Sequence, residues 1–131
     1  MGAILLDTTV LIDVLRGRPG TRERLLRLRA ADDEPCACAV NVEEVLRGLR
    51  PRETPTAELL FRGLRIVPLA EAEGRQAGEW RRTYAARGPT LTQADCLVAA
   101  AAAAVGGRLA TGNPKDFPMS AVDVEHWPAG E

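Results

Sequence analysis

The stretch AILLDTTVLIDVL, residues 3–15, decides the fold. Its first four residues form a short apolar run that is typical of a strand buried on both faces, and the run stops at Asp7. Apolar side chains then recur at helical spacing over residues 10–15, until Gly17 interrupts the pattern. A strand that leads directly into a helix predicts the first unit of an α/β sheet.

The same alternation continues along the chain. Apolar runs predict further strands at 36–40, 65–69, 108–111 and 122–127, and helical spacing predicts helices at 21–31, from Asn41, through 59–61, at 71–87 and at 92–105. Strands that alternate with one or two helices predict a mainly parallel sheet with helices on both faces. We therefore expect an α/β fold, a three-layer α/β/α arrangement in which residues 1–131 form one domain.

Length and composition agree with one globular domain. The chain has 131 residues, of which 46% are hydrophobic and 27% charged, and these fractions exclude a mainly disordered protein. Seventeen basic residues against eighteen acidic ones give a net charge of −1, so no overall basic excess indicates a nucleic-acid partner. An average of this kind conceals local fields.

Cysteine and histidine usage limits the possible metal chemistry. Cys36, Cys38 and Cys96 cannot all pair within one chain, which favours buried apolar packing in a reducing, cytoplasmic compartment. His126 is the only histidine, so no zinc site of familiar spacing can form. Any metal must therefore be bound by oxygen.

The chain shows no signal of a membrane or a secretion pathway. Asp7 comes before any basic segment or long apolar core of a signal peptide develops. The longest apolar run, residues 97–105, is about half of the ~20 residues that a membrane span needs. We expect no membrane partner.

Four acidic residues lie where predicted strands end or predicted helices begin: Asp7, Glu44, Asp95 and Asp116. Each one alone also fits helix capping, since the last three follow Asn41, Thr92 and Asn113 by three residues. Ligands of parallel sheets bind outside the carboxyl ends of the strands, where these acids would converge. Clustered carboxylates repel one another unless a cation compensates them, and their hard oxygens suit Mg²⁺ or Mn²⁺.

Four segments of the chain resemble the PIN-domain nucleases, and in particular the VapC-type toxins of type II (VapBC) toxin–antitoxin systems. The segments are LLDTTVLIDVLRG, CAVNVEEVLRG, TQADCLVAAAA and ATGNPKDF. The resemblance implies metal-binding acids at Asp7, at Glu44 rather than Glu43, and at Asp95. Asn113 stands where some members of the family carry an aspartate, which leaves Asp116 as the fourth acid.

The resemblance also implies roles for these residues. Asp7 and Asp95 would be the principal ligands of Mg²⁺ or Mn²⁺, Glu44 a ligand or a base that orients water, and Asp116 a ligand or a support. Thr9 stands at a position often held by asparagine, and its hydroxyl could orient Asp7 or a metal-bound water.

A VapC-type protein is expected to be a metal-dependent endoribonuclease that hydrolyses structured RNA, commonly tRNA or rRNA. The family resemblance further implies a homodimer and a small VapB-type antitoxin that lays a C-terminal segment in an apolar groove. Candidates for that groove, each of which also fits a core position, are Leu25, Leu26, Leu28, Leu59, Leu60 and Phe61.

Residues 16–29 carry six arginines against one acid, Glu23. This cluster either guides RNA towards the acids or forms an ordinary solvated helix face. Trp80 and Tyr84 are interpreted as core or subunit-interface residues.

Two other functions fit parts of the pattern. A degenerate PIN fold could bind RNA or an antitoxin without turnover. A haloacid-type phosphatase would need Asp-x-Asp after its first strand, whereas Thr8 and Thr9 follow Asp7.

Overall fold

The computed structural model describes residues 2–131, and within them five strands form one sheet. The strands are β1 (Ala3–Leu6), β2 (Glu34–Cys38), β3 (Arg65–Val67), β4 (Arg108–Thr111) and β5 (Asp123–His126). Their order in the sheet is β3-β2-β1-β4-β5, and every neighbouring pair is parallel. The expected mainly parallel sheet is therefore parallel throughout this part of the chain.

Helices cover both faces of the sheet. They are α1 (Thr8–Leu15), α2 (Pro19–Ala30), α3 (Ala39–Arg47), α4 (Thr54–Arg62), α5 (Glu71–Arg87) and α6 (Gln93–Ala104), with short 3-10 helices at Pro51–Glu53 and Pro114–Asp116. Side chains of β1 alternate between two cores: Ile4 and Leu6 pack with α1, α2 and α4, while Leu5 packs with α5 and α6. The three-layer α/β/α fold is confirmed.

The alanine-rich helix α6 is the most deeply buried helix segment. Residues 98–102 of this helix are at most 3% exposed. Small side chains allow the helix to lie close to the sheet, and the two glycines after it let the chain reverse. Gly106 and Gly107 have φ values of 107° and 94°, and the Gly107 N–H donates to the Ala102 carbonyl at 2.8 Å.

Several element boundaries differ from the predicted ones. Strand β2 ends at Cys38 instead of residue 40, because α3 begins at Ala39, two residues before Asn41. The Asn41 side chain reaches back and accepts the Cys38 N–H at 2.9 Å, so a residue inside the first turn satisfies the helix start. Helix α2 begins at Pro19 rather than residue 21, since proline suits a first helical position.

Strand order determines where a site can form. The chain runs outward from β1 through β2 to β3, then crosses β1 and continues outward through β4 to β5. The order therefore reverses between β1 and β4, and parallel sheets bind ligands at the carboxyl end of such a reversal. Asp7 follows β1 directly at this point.

The structure also bears on the cysteines and on the membrane expectation. Cys36, Cys38 and Cys96 are free thiols with 0% exposure, which confirms their role as buried packing residues. Across residues 2–131, helices of the length and apolarity that a membrane crossing requires do not occur.

Candidate active site

Asp7 lies at the N-cap position of α1 and is only 7% exposed. Its side chain turns to the neighbouring strand: the hydroxyl of Thr111, the last residue of β4, donates to Asp7 Oδ2 at 2.8 Å. The same hydroxyl oxygen accepts the Asn113 N–H at 3.0 Å. The end of β4 thus orients the carboxylate at the end of β1.

Burial is the main reason why the pKa of Asp7 is raised, from 3.8 to about 6. The hydrogen bond from Thr111 opposes this rise, because it favours the charged form. The negative charges of Asp95 and Glu44 raise the pKa of Asp7 further. Asp7 therefore lies in the electrostatic field of two of the other acids.

Glu44 lies in the second turn of α3, which removes the capping interpretation for this residue. Its Oε1 accepts a hydrogen bond of 2.6 Å from the hydroxyl of Thr8, the first residue of α1. Arg47 Nη2 lies 4.0 Å from Glu44 Oε2, and Arg47 is largely exposed. Glu43 is exposed and pairs with Arg47 at 3.5 Å. Of the two neighbouring glutamates, Glu44 is therefore the one that is hydrogen-bonded to Thr8.

Asp95 lies in the first turn of α6, where Thr92 is the N-cap. The Thr92 hydroxyl oxygen accepts the Asp95 N–H at 3.1 Å, so capping occurs here through the backbone of Asp95. Burial raises the pKa of the Asp95 carboxyl group, a side-chain hydrogen bond with Thr92 opposes this rise, and the charges of Asp116 and Glu44 raise the pKa further. Asp95 therefore lies in the field of both the partly buried Glu44 and the exposed Asp116.

Asp116 is the exposed member of the group, at the end of the 3-10 helix Pro114–Asp116. Its charge contributes to the raised pKa of Asp95. Asn113, the alternative at this position of the family pattern, is exposed, and its backbone N–H supports Thr111. The residue that adds negative charge near Asp95 is thus Asp116.

The donor set fits a hydrated divalent cation. No ion pair within residues 2–131 involves Asp7, Asp95 or Asp116, so their mutual repulsion lacks a positive partner there. The described side chains do not bring three histidine, cysteine or acidic groups into one closed coordination shell. Mg²⁺ keeps several of its waters in proteins, and such waters bridge carboxylates that are not in direct contact.

Two contacts of the site were not predicted from the sequence, and of the two roles expected for the Thr9 hydroxyl, the orientation of Asp7 belongs to Thr111 instead. Thr9 accepts the Gly112 N–H at 3.1 Å, whereas Thr111 is the residue whose hydroxyl orients Asp7. Thr8 and Asn41 form the contacts around Glu44. A threonine directly after the apolar pair Leu109 and Ala110 was the one available signal for Thr111.

The six arginines of residues 16–29 do not form one continuous face. Arg16 pairs with Glu53, and Arg27 pairs with Glu23. Arg24 lines a cleft beside β5, where its Nη1 atom is buried and has no hydrogen-bond partner among the described residues. Arg18 and Arg22 are exposed, while Arg29 lines a separate cavity.

That separate cavity is apolar, has a volume of about 230 Å³, and lies between α1, α2 and α4. Among the groove candidates, Leu25, Leu59 and Leu60 line it. Leu28 belongs to the buried core, Phe61 packs against that core, and Leu26 is exposed outside the cavity. Leu59, at the edge of the cavity, is 67% exposed.

Trp80 and Tyr84 both pack against the core on the α5–α6 face, in agreement with the core interpretation. The Tyr84 hydroxyl donates to the Pro118 carbonyl at 3.1 Å.

Comparisons with known proteins place the chain among similar sequences and structures. Residues 4–123 match the family model described as PIN domain. The chain is 32% identical to Ribonuclease VapC19 of Mycobacterium tuberculosis over 88% of this chain and 92% of the relative, and 35% identical to Ribonuclease VapC10 of the same organism over 88% and 86%. The fold is similar to that in the crystal structure of VapBC2 from Rickettsia felis bound to a DNA fragment from its promoter, with a TM-score of 0.84, 20% identity and coverage of 95% and 98%.

Proposed function

The chain belongs to the PIN-domain family, and from this premise we propose that it is a Mg²⁺- or Mn²⁺-dependent endoribonuclease, the VapC-type toxin of a VapBC pair. Two relatives that it matches over most of their length are named ribonucleases. The observation that carries the proposal is the Asp7 carboxylate, whose pKa is raised to about 6 mainly by burial and further by the charges of Asp95 and Glu44. Acids that are costly to hold together fit a site that binds a cation.

In this proposal Asp7 and Asp95 hold the cation, Glu44 holds it or orients a water, and Asp116 holds it or supports Asp95. A bound divalent cation supplies an activated water and neutralises phosphate charge without a histidine base. Thr111 keeps the Asp7 carboxylate in one orientation. The N-termini of α1 and α6 lie beside Asp7 and Asp95, and their partial positive charge favours the ionised carboxylates.

The proposed substrate is structured RNA, tRNA or rRNA. An acidic site repels a polyanion, so exposed cations outside it must hold the RNA. Lys115 lies in the 3-10 helix beside Asp116, and Arg18 and Arg22 lie exposed at the start of α2. These residues are better candidates than the arginines engaged in ion pairs or cavities.

The proposed partners are a VapB-type antitoxin and a second copy of the chain. The cavity between α1, α2 and α4 suits an apolar side chain of an antitoxin segment, with Leu59 exposed at its edge. Solved relatives of the same fold include VapBC complexes from Rickettsia felis and Salmonella typhimurium. The homodimer is proposed from the family resemblance, and the cytoplasmic location from the three cysteines, which favour a reducing compartment.

The test compares the wild-type protein with Asp7→Asn and Asp95→Asn on total RNA and on tRNA, with Mg²⁺, with Mn²⁺ and with EDTA. We expect cleavage that EDTA abolishes and that falls by roughly 100-fold or more in either variant. Asp123→Asn is the matched control, since Asp123 is exposed at the start of β5. Cleavage that survives chelation and both substitutions would overturn the metal-dependent mechanism, and RNA retention without cleavage would indicate a binding module.

A further inference from the structure

Asn41 is fully buried and connects the end of β2 with the hydrogen-bond network of Glu44. Its Oδ1 accepts the Cys38 N–H at 2.9 Å and the Cys38 thiol at 3.3 Å. Its Nδ2 donates to Thr8 Oγ1 at 3.1 Å, and the Thr8 hydroxyl donates to Glu44 Oε1 at 2.6 Å. The three side chains form a chain of hydrogen bonds that ends on a proposed metal ligand.

The direction of every bond in this chain is determined by its first donor. A backbone N–H can only donate, so the acceptor oxygen of Asn41 must face Cys38. The amide nitrogen then faces Thr8 and can only donate there, which makes the Thr8 oxygen an acceptor in that bond. The single hydroxyl proton of Thr8 is thereby left for Glu44, whose ionised carboxylate can only accept.

We propose that Asn41 is a positioning residue which, through Thr8, holds Glu44 Oε1 and leaves Oε2 for the divalent cation or a water bound to it. The inference rests on the proposed metal-dependent nuclease function. The other group near Oε2 is the exposed Arg47, whose Nη2 atom lies 4.0 Å away. An exposed pair at this distance constrains Oε2 weakly, so Thr8 is the contact that determines the carboxylate orientation.

Asn41 also caps α3, so the test must separate positioning from capping. Asn41→Ser keeps a small polar side chain at the start of α3 and removes the amide donor to Thr8, whereas Asn41→Asp keeps the acceptor for the Cys38 N–H. Thr8→Val removes the hydroxyl that Asn41 directs, and Thr8→Ser retains it. Thr21→Val is the control for loss of a buried threonine hydroxyl, because Thr21 is 1% exposed and lies in α2, outside the site.

The first readout is the Mn²⁺ dissociation constant without RNA, measured by titration calorimetry or by the electron paramagnetic resonance signal of free Mn²⁺. We expect Asn41→Ser and Thr8→Val each to weaken Mn²⁺ binding by about 10-fold, the size of effects from residues that orient metal ligands. The double variant should bind no more weakly than Thr8→Val alone, because Asn41 reaches Glu44 only through that hydroxyl. Thr8→Ser and Thr21→Val should bind as the wild type does.

Asn41→Asp gives a second test that does not depend on the fold surviving Asn41→Ser. It keeps the acceptor for Cys38 but presents an acceptor to Thr8, so the Thr8 proton is shared between two carboxylates. A simple gain of negative charge would strengthen Mn²⁺ binding, whereas loss of the directed hydrogen bond weakens it. We expect weaker binding.

Three outcomes would overturn the inference: wild-type Mn²⁺ affinity in Asn41→Ser, additive losses in the double variant, or stronger Mn²⁺ binding in Asn41→Asp. Failure of the proposed function looks different, since the wild-type protein would then neither bind Mn²⁺ nor cleave RNA. The kinetics give an independent check: Asn41→Ser should lower kcat for RNA and leave KM close to its wild-type value.

Discussion

Burial of the charged Asp7 carboxylate lowers the stability of the folded chain. Asp7 is 7% exposed, and its raised pKa means that the folded chain holds the charged form less easily than the unfolded chain does. Hydrogen bonds from the Thr111 hydroxyl and the Thr8 backbone offset part of this cost, while the charges of Asp95 and Glu44 add to it. Residues of this kind are kept for chemistry rather than for stability.

The pH dependence of stability follows from the pKa of Asp7. The folded pKa of about 6 lies above the ordinary value of 3.8, so the folded state binds the proton more tightly between these two values. The stabilisation of the fold by protonated Asp7 is fully present below pH 3.8 and is lost as the pH rises through about 6. In EDTA at pH 7.5, the free energy of unfolding of Asp7→Asn should therefore exceed that of the wild type by on the order of 2 kcal/mol.

The measurement is urea unfolding of both proteins at pH 4 and at pH 7.5. The gain of Asp7→Asn over the wild type should shrink at the lower pH, where Asp7 is largely protonated. A difference that does not change with pH would show that burial of this carboxylate has no energetic cost. Added Mg²⁺ should stabilise the wild type and leave Asp7→Asn unchanged.

Gly112 shows how closely the chain packs behind the acids. A Cβ at this position would lie 3.2 Å from Ala129 Cβ and 3.3 Å from Thr9 Oγ1. We expect Gly112→Ala to lower the free energy of unfolding by about 1 kcal/mol, because its neighbours must move apart. Gly78→Ala in the exposed face of α5 is the control, and it should gain about 0.5–1 kcal/mol from reduced chain entropy. Equal effects in thermal unfolding would contradict this prediction.

At the scale of elements, the start of α6 shows that capping and site chemistry coexist. Thr92 accepts the backbone N–H of Asp95, and a side-chain hydrogen bond with Thr92 also favours the charged form of the Asp95 carboxyl group, which lies in the field of Asp116 and Glu44. The cap and the acid are therefore separate residues of one helix turn. A sequence pattern of threonine and aspartate three residues apart does not distinguish the two roles.

Removal of this cap should affect both stability and metal binding. Thr92→Ala should lower the free energy of unfolding by about 1 kcal/mol, because the Asp95 N–H loses its acceptor. It should also weaken Mg²⁺ binding, because the first turn of α6 holds Asp95. Thr92→Ser should retain both properties in urea unfolding and calorimetric titration. Unchanged Mg²⁺ affinity in a destabilised Thr92→Ala would show that the cap does not position the acid.

At the scale of the whole molecule, the proposed active site and the apolar cavity are separate features. None of the four acids lines the cavity, whose walls come mainly from helices α1, α2 and α4. An antitoxin segment in the cavity could therefore be uncoupled from RNA cleavage by mutation. Leu59 is suited to this experiment because it lines the cavity and is 67% exposed.

Leu59→Asp should weaken binding of a VapB-type antitoxin by at least about 10-fold, because it places a charge at an apolar contact. Its stability should change by less than about 0.5 kcal/mol, since the side chain is mostly exposed. Leu26→Asp is the matched control, a leucine 55% exposed on α2 and outside the cavity. The measurements are co-purification with the antitoxin and RNA cleavage. Equal retention of the antitoxin by both variants would show that the cavity is not its binding site.

Local patterns in the sequence determined the elements and the identity of the acids. The buried run at residues 3–6, the spacing of helical residues and the glycines after α6 all depend on neighbours within a few positions, and the structure confirms them. The start of α3 was misplaced by two residues, because Asn41 satisfies the helix start from inside its first turn. A pattern shows that a polar residue lies near a helix start and does not show which way its side chain reaches.

Contacts between distant residues were decided by the tertiary structure alone. Thr111 orients Asp7 across 104 positions because β4, and not β2, follows β1 on that side of the sheet. The arginines of residues 16–29 likewise have different surroundings, which depend on the elements that pack beside them. Arg16 pairs with Glu53, Arg27 pairs with Glu23, and Arg24 lines the cleft beside β5. Periodicity is a property of neighbouring residues, whereas hydrogen-bond partners and exposed faces depend on strand order and helix packing. The sequence therefore determined which chemical groups are present, and the tertiary structure decided which groups hold them in place.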